Sequence, residues 1–536
     1  MFALRSMRRH YSQTVAAQLI KRSVPVDPAS GKANSHEFLT DDDDTWDATL
    51  NQTDVKLNKN KYFNLQVLHP IGDSSQCYLF THWGRVGEQG QQKLKGPWTH
   101  DDAVDAFKSH FRTKSGVKWE NRVGMVAKKG KYTWIERDYD NEDATDNTSE
   151  ANPNEDSEKP DYKVPESTLA PEIQDFCLFI FSNSIIDATL SALNYDANKL
   201  PLGKLAKSTI LKGFAALRDL SEVIGGTNVA KIQEHGSQQT ACEELTNLYY
   251  SIIPHSFGRN RPIIINNSQL LKKELELVDI LGEMEIASQL MADIEKRHAQ
   301  TNPLDAQFHS LDLTKMEVLS RDGQEFEAIQ KYMQDTHGST HTHIRAKVKA
   351  AFRVERARET EAWKEAGFDQ IDPGERLLLW HGSRSTNFAG ILKQGLRIAP
   401  PEAPSSGYMF GKGVYFADMM SKSAGYCHSY LSNDMGCLLL CEVAAKPFYE
   451  LVDGQYHADA NCKKYNKRAT KGMGQRQPLR WKDAGKALGV EDLVGCVMPD
   501  GHATNVGKQG YLQYNEYIVY NIAQIRVRYL LMVDMK

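Results

Sequence analysis

The feature that most constrains how this chain can fold is the tract "DNEDATDNTSEANPNEDSEKPD". Between Asp138 and Asp161, ten acidic residues stand against one lysine, and no apolar residue recurs at helical or strand spacing. Such a tract cannot bury enough apolar surface to offset the entropy of ordering itself. The chain therefore cannot close around one core. It must fold as separate bodies on either side of an acidic linker, placed at 139–164. The 536 residues fit that reading, since domains average about 150 residues.

The segment before the linker has the opposite sign. From Val55 to Arg137 there are 15 Lys+Arg against 7 Asp+Glu, although the whole chain is nearly balanced at 65 against 69. A basic module followed by an acidic tether is a charge pattern that the average hides. The first 26 residues carry Arg5, Arg8, Arg9, Lys21 and Arg22 and no acid before Asp27. A start of that composition reads either as a mitochondrial presequence or as a basic arm that touches DNA phosphates. The tail is placed at 1–35.

"KYFNLQVLH", "QCYLFTHWGRVGEQGQQKL" and "KYTWIERDY" alternate apolar and polar residues between glycine-rich turns, which predicts an antiparallel sheet over 36–138. Within it, Val104, Phe107 and Phe111 recur at helical spacing behind Thr99, so one helix packs on that sheet. From Pro165 to Gln300 the pattern is helical: "LAPEIQDFCLFIFSNSIIDATLSAL", "PLGKLAKSTILKGFAALRDLSEVI", "ACEELTNLYYSII" and "SQLLKKELELVDILGEMEIASQLMADIEKR" read as successive helices. From Asn302 to Lys536 the chain turns β-rich, with "RLLLWHG", "GVYFAD", "CLLLCEVAA" and "NEYIVYNIAQIRVRYLLMV" as strands of a mixed, mainly antiparallel sheet. The fold class is multidomain α+β.

The eight cysteines form no CxxC pair, and Cys437 and Cys441 lie in an apolar strand, so reduced thiols are expected rather than a disulfide framework. "HGSTHTH" clusters His337, His341 and His343 without partner ligands nearby and reads as a polar loop; no metal is expected. No apolar run reaches the roughly 18 residues of a membrane span, so no membrane partner is expected.

Chemistry concentrates between Trp380 and Tyr426, in "WHGSRSTNFAGILKQGLRIAPPEAPSSGYMFGKGVYFADMMSKSAGY". A buried strand ends on His381-Gly382, where glycine lets the backbone approach a ligand. Gly411 and Gly413 turn the chain before Tyr415. Ser423 and Tyr426, three apart, share a face if a helix begins there. Singly, each has a plain alternative: a structural histidine, a strand aromatic, a helix N-cap.

Together these residues resemble the catalytic domain of the poly(ADP-ribose) polymerases. That family's H-Y-E signature falls on His381, Tyr415 and, within "LQYNEYIVY", Glu516. The resemblance extends to the helical stretch ("LPLGKLAKSTILKGFAAL", "LYYSIIPHSFG") and to "HWGRVGEQGQ", which is similar to a WGR domain. It leaves out only the tail and the linker. It is strongest with the short DNA-dependent members, which lack zinc fingers and a BRCT domain.

The resemblance implies three folded parts: a WGR DNA-binding module, an all-α regulatory domain and a β-rich ADP-ribosyltransferase domain. It implies NAD+ as substrate, poly(ADP-ribose) built on the chain itself and on other proteins, damaged DNA as partner, and a nuclear location. His381, Tyr415 and Glu516 would be catalytic. Tyr426 would stack on nicotinamide, with Tyr415 opposite, and Gly382 and Ser423 would hold the carboxamide. His381 would bond a ribose hydroxyl, and Ser383, Asn387, Gly390 and Arg397 would line the adenosine and phosphate side. Glu516 would stabilise positive charge developing on the sugar and deprotonate the acceptor hydroxyl. Trp83 offers a stacking surface for a DNA end or a core indole; the resemblance implies that Trp83 and Arg85 bind DNA, with Arg85 passing the signal to the helical domain. Glu276, Asp279 and Glu283 share one helix face; in the family that helix covers the NAD pocket, and Glu283 stands where relatives often carry aspartate.

Two departures qualify the match. Animal relatives end in an apolar tail closing on Leu-Trp, through which modification is redirected to serine; this chain stops at "VDMK", so Asp/Glu acceptors are expected. The insert 468–510 is poorly matched and has no functional reading. Two alternatives remain at this level: a mono-ADP-ribosyltransferase, which the intact H-Y-E set argues against, and a DNA-end-binding scaffold with a silent catalytic domain.

Overall fold

The computed structural model describes residues 26–41, 44–136, 165–195, 205–297, 301–507 and 510–536. The basic start and the acidic linker lie outside the described residues. The chain divides into two compact units. One holds the N-terminal module with Leu190–Arg297; the other holds Pro165–Thr189 with His298–Pro400 and Ser405–Lys536.

In the first unit, six strands form one sheet: β1 (His36–Phe38), β2 (Asp47–Asp54), β3 (Lys59–Pro70), β4 (Cys77–Arg85), β5 (Gln91–Trp98) and β6 (Thr133–Ile135). The order is β5-β4-β3-β2-β6, with β1 beside β3, and every pairing is antiparallel. The helix His100–Ser115 starts at Thr99, whose hydroxyl accepts from the Asp102 amide at 3.3 Å, and ends at Gly116, whose φ of 73° suits glycine. Its Val104, Phe107 and Phe111 are buried against Trp46, Leu65 and Trp119 of the sheet core, as their spacing requires. The fold begins ahead of residue 36: Val26 packs with Leu68 and Phe80, and Asp27 bonds His82 Nδ1 at 2.7 Å.

The helices Lys207–Ile224, Gln238–Ile252 and Ser268–Arg297 fall where their apolar spacing put them, joined by a short helix, Val229–Glu234, that the pattern did not mark. The earliest helical stretch differs from expectation twice. It is broken at Phe181–Ser182 into two ten-residue helices, Pro171–Ile180 and Asn183–Ala192. Taken as one run, Pro171–Ala192 is also long and apolar enough to meet a membrane-span criterion, contrary to the sequence reading. Ile173, Phe176, Cys177 and Ile180 are nonetheless buried within the protein.

The second unit carries the remaining strands: β7 (Lys315–Val318), β8 (Ala346–Glu355), β9 (Arg376–Ser383), β10 (Val414–Phe416), β11 (Met435–Ala444), β12 (Phe448–Leu451), β13 (Ala469–Gly472), β14 (Arg476–Gln477), β15 (Trp481–Asp483), β16 (Cys496–Pro499), β17 (Thr504–Asn505), β18 (Glu516–Val519) and β19 (Ile525–Met535). Seven of them form the sheet β15-β16-β9-β11-β19-β8-β7, four form β10-β18-β13-β12, and β14 pairs with β17. Among the described strand pairings of this unit only β12–β13 and β16–β9 are parallel, so the sheets are mixed and mainly antiparallel. The unread insert supplies β13 to β17 and sets Gly472 opposite Glu516. It is therefore part of the sheet framework. A two-way bond between Trp380 and Ala417 ties the two larger sheets together, at 2.8 and 2.9 Å.

Candidate active site

The site forms where that bond joins the sheets. His381 follows Trp380 at the end of β9, and its Nδ1 lies 2.9 Å from the Tyr415 carbonyl. A carbonyl only accepts, so Nδ1 carries the proton. Burial pulls the imidazole pKa below its ordinary value, so the ring is neutral and Nε2 keeps a lone pair. Gly382 could be nothing larger: a Cβ there would meet the Ser423 carbonyl oxygen at 2.0 Å. By strand alternation its amide and carbonyl face the same edge as those of Trp380, away from β11.

Tyr415 rises from β10, one register step from the strand bearing Glu516, with Tyr415 opposite Ile518 and Phe416 opposite Tyr517. Gly413 permits that approach, since a Cβ would sit 2.5 Å from Ile518 Cγ2, and Gly411 takes a φ of +80° in the preceding turn. The Tyr415 hydroxyl donates to the Gly411 carbonyl at 2.7 Å and accepts from the Phe410 amide at 3.0 Å. Burial raises its pKa far above the ordinary phenol value, and the charges of Glu516 and Tyr426 lie near enough to raise it further. Its hydroxyl is committed to the turn, so Tyr415 offers a ring wall rather than a proton.

The short helix Met420–Ala424 follows β10, and its N-cap is Met419. Ser423 is therefore inside the helix, not capping it. It is buried, and its hydroxyl donates to the Trp380 carbonyl at 3.0 Å, leaving lone pairs to accept. Tyr426 sits on the next turn, 50% exposed. Ser383 and Asn387 are joined by a 3.0 Å bond from the Asn387 amide. Gly390 is buried within the helix Phe388–Gln394. Arg397 lies beyond that helix, exposed, with Nη1 3.3 Å from Gln394 Oε1.

Glu516 opens β18 and is 9% exposed. Its Oε1 is 3.0 Å from Lys422 Nζ, and the same ammonium donates to the Tyr514 carbonyl at 2.8 Å. Burial lowers the Lys422 pKa while the Glu516 charge opposes that shift. The sequence reading missed Lys422, although it stands inside the quoted "SKSAGY". A lysine one residue before a named serine gave no signal of pointing at a carboxylate 94 positions later. The "HGSTHTH" loop packs beside this pair: His341 Nδ1 lies 2.9 Å from the Ser421 hydroxyl, and the Thr340 amide donates to the Tyr514 hydroxyl at 3.0 Å.

In the N-terminal module Trp83 and Arg85 end β4. Trp83 is half-buried, its ring stacked on Phe63 at 5.9 Å, so it is neither a closed core indole nor a free platform. Arg85 turns to the protein instead of to solvent. Nη1 donates to the Asn58 carbonyl at 2.8 Å, Nη2 to Asn58 Oδ1 and the Asn260 carbonyl at 2.9 and 2.8 Å, and Nε to the Gly258 carbonyl. The same seam continues with Asn51 donating to the Tyr250 carbonyl at 2.8 Å and Asn60 to the His255 carbonyl at 2.7 Å. Glu276, Asp279 and Glu283 are half-buried along the helix Ser268–Arg297.

A glycine-backed strand end, a neutral histidine, a tyrosine wall and a glutamate held by a lysine lie at the junction of the two sheets. Residues 323–535 match the family described as the poly(ADP-ribose) polymerase catalytic domain. The class is thus an NAD+ ADP-ribosyltransferase. Residues 167–308 match the poly(ADP-ribose) polymerase regulatory domain and 46–125 the WGR domain. The chain is 40% identical to poly(ADP-ribose) polymerase 2 of Arabidopsis thaliana over 93% of its length and 75% of that protein's. For the Zea mays protein of the same name the figures are 41%, 94% and 72%, and for the Homo sapiens one 35%, 98% and 86%. The chain belongs to the poly(ADP-ribose) polymerase family.

Proposed function

We propose that this chain is a DNA-break-activated, nuclear poly(ADP-ribose) polymerase that modifies itself and other proteins. The observation that carries the reading is the meeting of Glu516, held by Lys422, with the His381–Tyr415 pair at the junction of two sheets. NAD+ fits the donor set. The Gly382 edge and the Ser423 lone pairs complement a carboxamide, which both donates and accepts. Tyr426 stacks on the nicotinamide ring and Tyr415 backs it. His381 Nε2 accepts from an adenosine-side ribose hydroxyl. Ser383, Asn387 and Gly390 line that half, and Arg397 meets the diphosphate.

In the reaction the bond between nicotinamide and ribose breaks, and nicotinamide leaves with the electron pair. Positive charge grows on the sugar, and a carboxylate bonded to the 2-hydroxyl gains strength as it does so. In chain extension the ribose hydroxyl of the growing polymer forms the new bond to that ribose carbon, and its proton passes to Glu516.

Activation runs through the seam of the first unit. Trp83 meets the DNA end, and Arg85, bonded across to the 258–260 turn, carries the displacement into the helix bearing Glu276 and Asp279. That arrangement favours Arg85 as a relay over Arg85 as a phosphate contact. The module's surplus of positive charge supplies the phosphate attraction. The domain bounds of this reading are 36–138, extended back to Val26, 165–300 and 302–536, with Pro165–Thr189 grouping with the last of them. The test is NAD+ consumption by the purified chain with and without nicked DNA. Strong stimulation with polymer formation is expected. DNA-independent turnover, or single ADP-ribose transfer only, would refute the reading.

A further inference from the structure

Glu516 is held in place from behind by a group that the reaction does not touch. Asp418 follows β10 and is fully buried. Its Oδ2 accepts from Asn515 Nδ2 at 2.7 Å and from the Tyr517 hydroxyl at 3.0 Å. Those are the two residues flanking Glu516. Along a strand, neighbours alternate faces, so 515 and 517 point one way and 516 the other. One carboxylate oxygen therefore clips the strand on the side opposite the catalytic group. The clip is extended by Asn515, whose Oδ1 accepts from the Gly474 amide at 2.9 Å.

A clip that receives two donors needs only an acceptor oxygen, which a neutral amide also has. Here a carboxylate is used, and its Oδ1 has no hydrogen-bond partner among the described residues. Burying an unsatisfied carboxylate oxygen is costly, and it calls for an explanation beyond packing. The surroundings give one. Burial raises the Asp418 pKa above its ordinary value, opposed first by the hydrogen bonds from Asn515 and Tyr517 and then by the nearby charges of Lys471 and Lys422; in turn Glu516 and Asp418 both favour the charged form of Lys422. Lys422 thus bonds Glu516 at 3.0 Å and also feels the charge of Asp418.

We propose that Asp418 is a positioning residue for the transfer reaction: it fixes the Glu516 backbone by clipping Asn515 and Tyr517, and its charge keeps the Lys422 ammonium on Glu516. The proposal rests on Glu516 being the catalytic carboxylate.

Four full-length variants test it: Asp418→Asn, Tyr517→Phe, Glu516→Gln and the double variant Asp418→Asn/Glu516→Gln. Asp418→Asn keeps an acceptor for the clip and removes the charge. Tyr517→Phe keeps the ring and removes one arm. With saturating NAD+ and nicked DNA, Asp418→Asn should lower kcat for polymer formation by about 10- to 100-fold, the scale of a misplaced catalytic group. KM for NAD+ and inhibition by nicotinamide should change less than about threefold, because the carboxamide clamp lies elsewhere. Tyr517→Phe should show a smaller loss of the same kind. In the Glu516→Gln background, Asp418→Asn should add no further loss, since effects through a shared group are not additive.

Equal fold losses in both backgrounds would overturn the positioning role and leave the Glu516 assignment standing. So would a rise in KM with kcat retained, or wild-type kcat in Tyr517→Phe. If Glu516→Gln alone still extended chains at the wild-type rate, the assignment of Glu516 would fall, and the role of Asp418 with it.

Discussion

Gly382 shows how much a single position can decide. Its missing side chain lets the Ser423 carbonyl lie where a Cβ would come within 2.0 Å, and this contact brings the two arms of the proposed carboxamide clamp together. Gly382→Ala should force them apart, at a strain of about 1–3 kcal/mol. A tenfold or greater rise in the KM for NAD+ is expected from steady-state kinetics, with a lowered melting temperature. An unchanged KM would show that the clamp is elsewhere. The glycine was legible as a place where backbone meets ligand. The protein neighbour that makes it obligatory was not, because Ser423 is 41 residues away in sequence.

At the level of elements, the N-terminal module illustrates what periodicity conveys and what it omits. The strands and the helix His100–Ser115 follow from alternation, from Thr99 and from Gly116. The attachment of Val26 and Asp27 does not, since one buried valine and one aspartate make no pattern. Asp27 and His82 are nonetheless an ion pair, 2.7 Å apart. The Asp27 bond raises the His82 pKa above its ordinary 6.5. Despite opposing burial, the bond to His82 holds Asp27 below 3.8. The histidine's contribution is thus full below about pH 6.5 and fades as pH rises through the raised value; the aspartate's is present above about pH 3.8 and fades as pH falls. The pair stabilises most between those limits. Asp27→Asn should lower the melting temperature at pH 6 more than at pH 8, as seen by calorimetry. Equal losses at both values would argue against the pair.

For the whole molecule, the helical stretch is not one body. Pro165–Thr189 groups with the catalytic residues. Thr168 donates to Asp305 Oδ2 from its amide and hydroxyl at 2.9 and 2.6 Å, and Phe176 meets Phe352 at 5.9 Å between ring centroids. On the inhibitory role that the resemblance implies for the helices, a fragment starting at Asn302 should turn over NAD+ without DNA, yet melt below the full chain because Asp305 and Phe352 lose these partners. NAD+ consumption and thermal unfolding read the two effects separately. A fragment as quiet as the DNA-free full chain would refute the inhibitory role of the helices.

Local order is what the sequence by itself determined. Strand alternation, helical spacing, turn glycines and the charge contrast around the linker are properties of neighbouring residues, and they sufficed for the fold class; the H-Y-E residues were legible only through the resemblance to a family. Tertiary structure alone decided what depends on distant segments meeting. Lys422 reached Glu516, Asp418 clipped the residues on either side of it, and Arg85 spent its donors on carbonyls at 258 and 260. The insert 468–510 became β13 to β17, with β13 paired to the strand bearing Glu516. The apolar run Pro171–Ala192 became two helices, the first with its apolar face buried in the protein. Hydrogen bonds and ion pairs act over a few ångströms whatever the separation in the chain, so a spacing rule cannot see them.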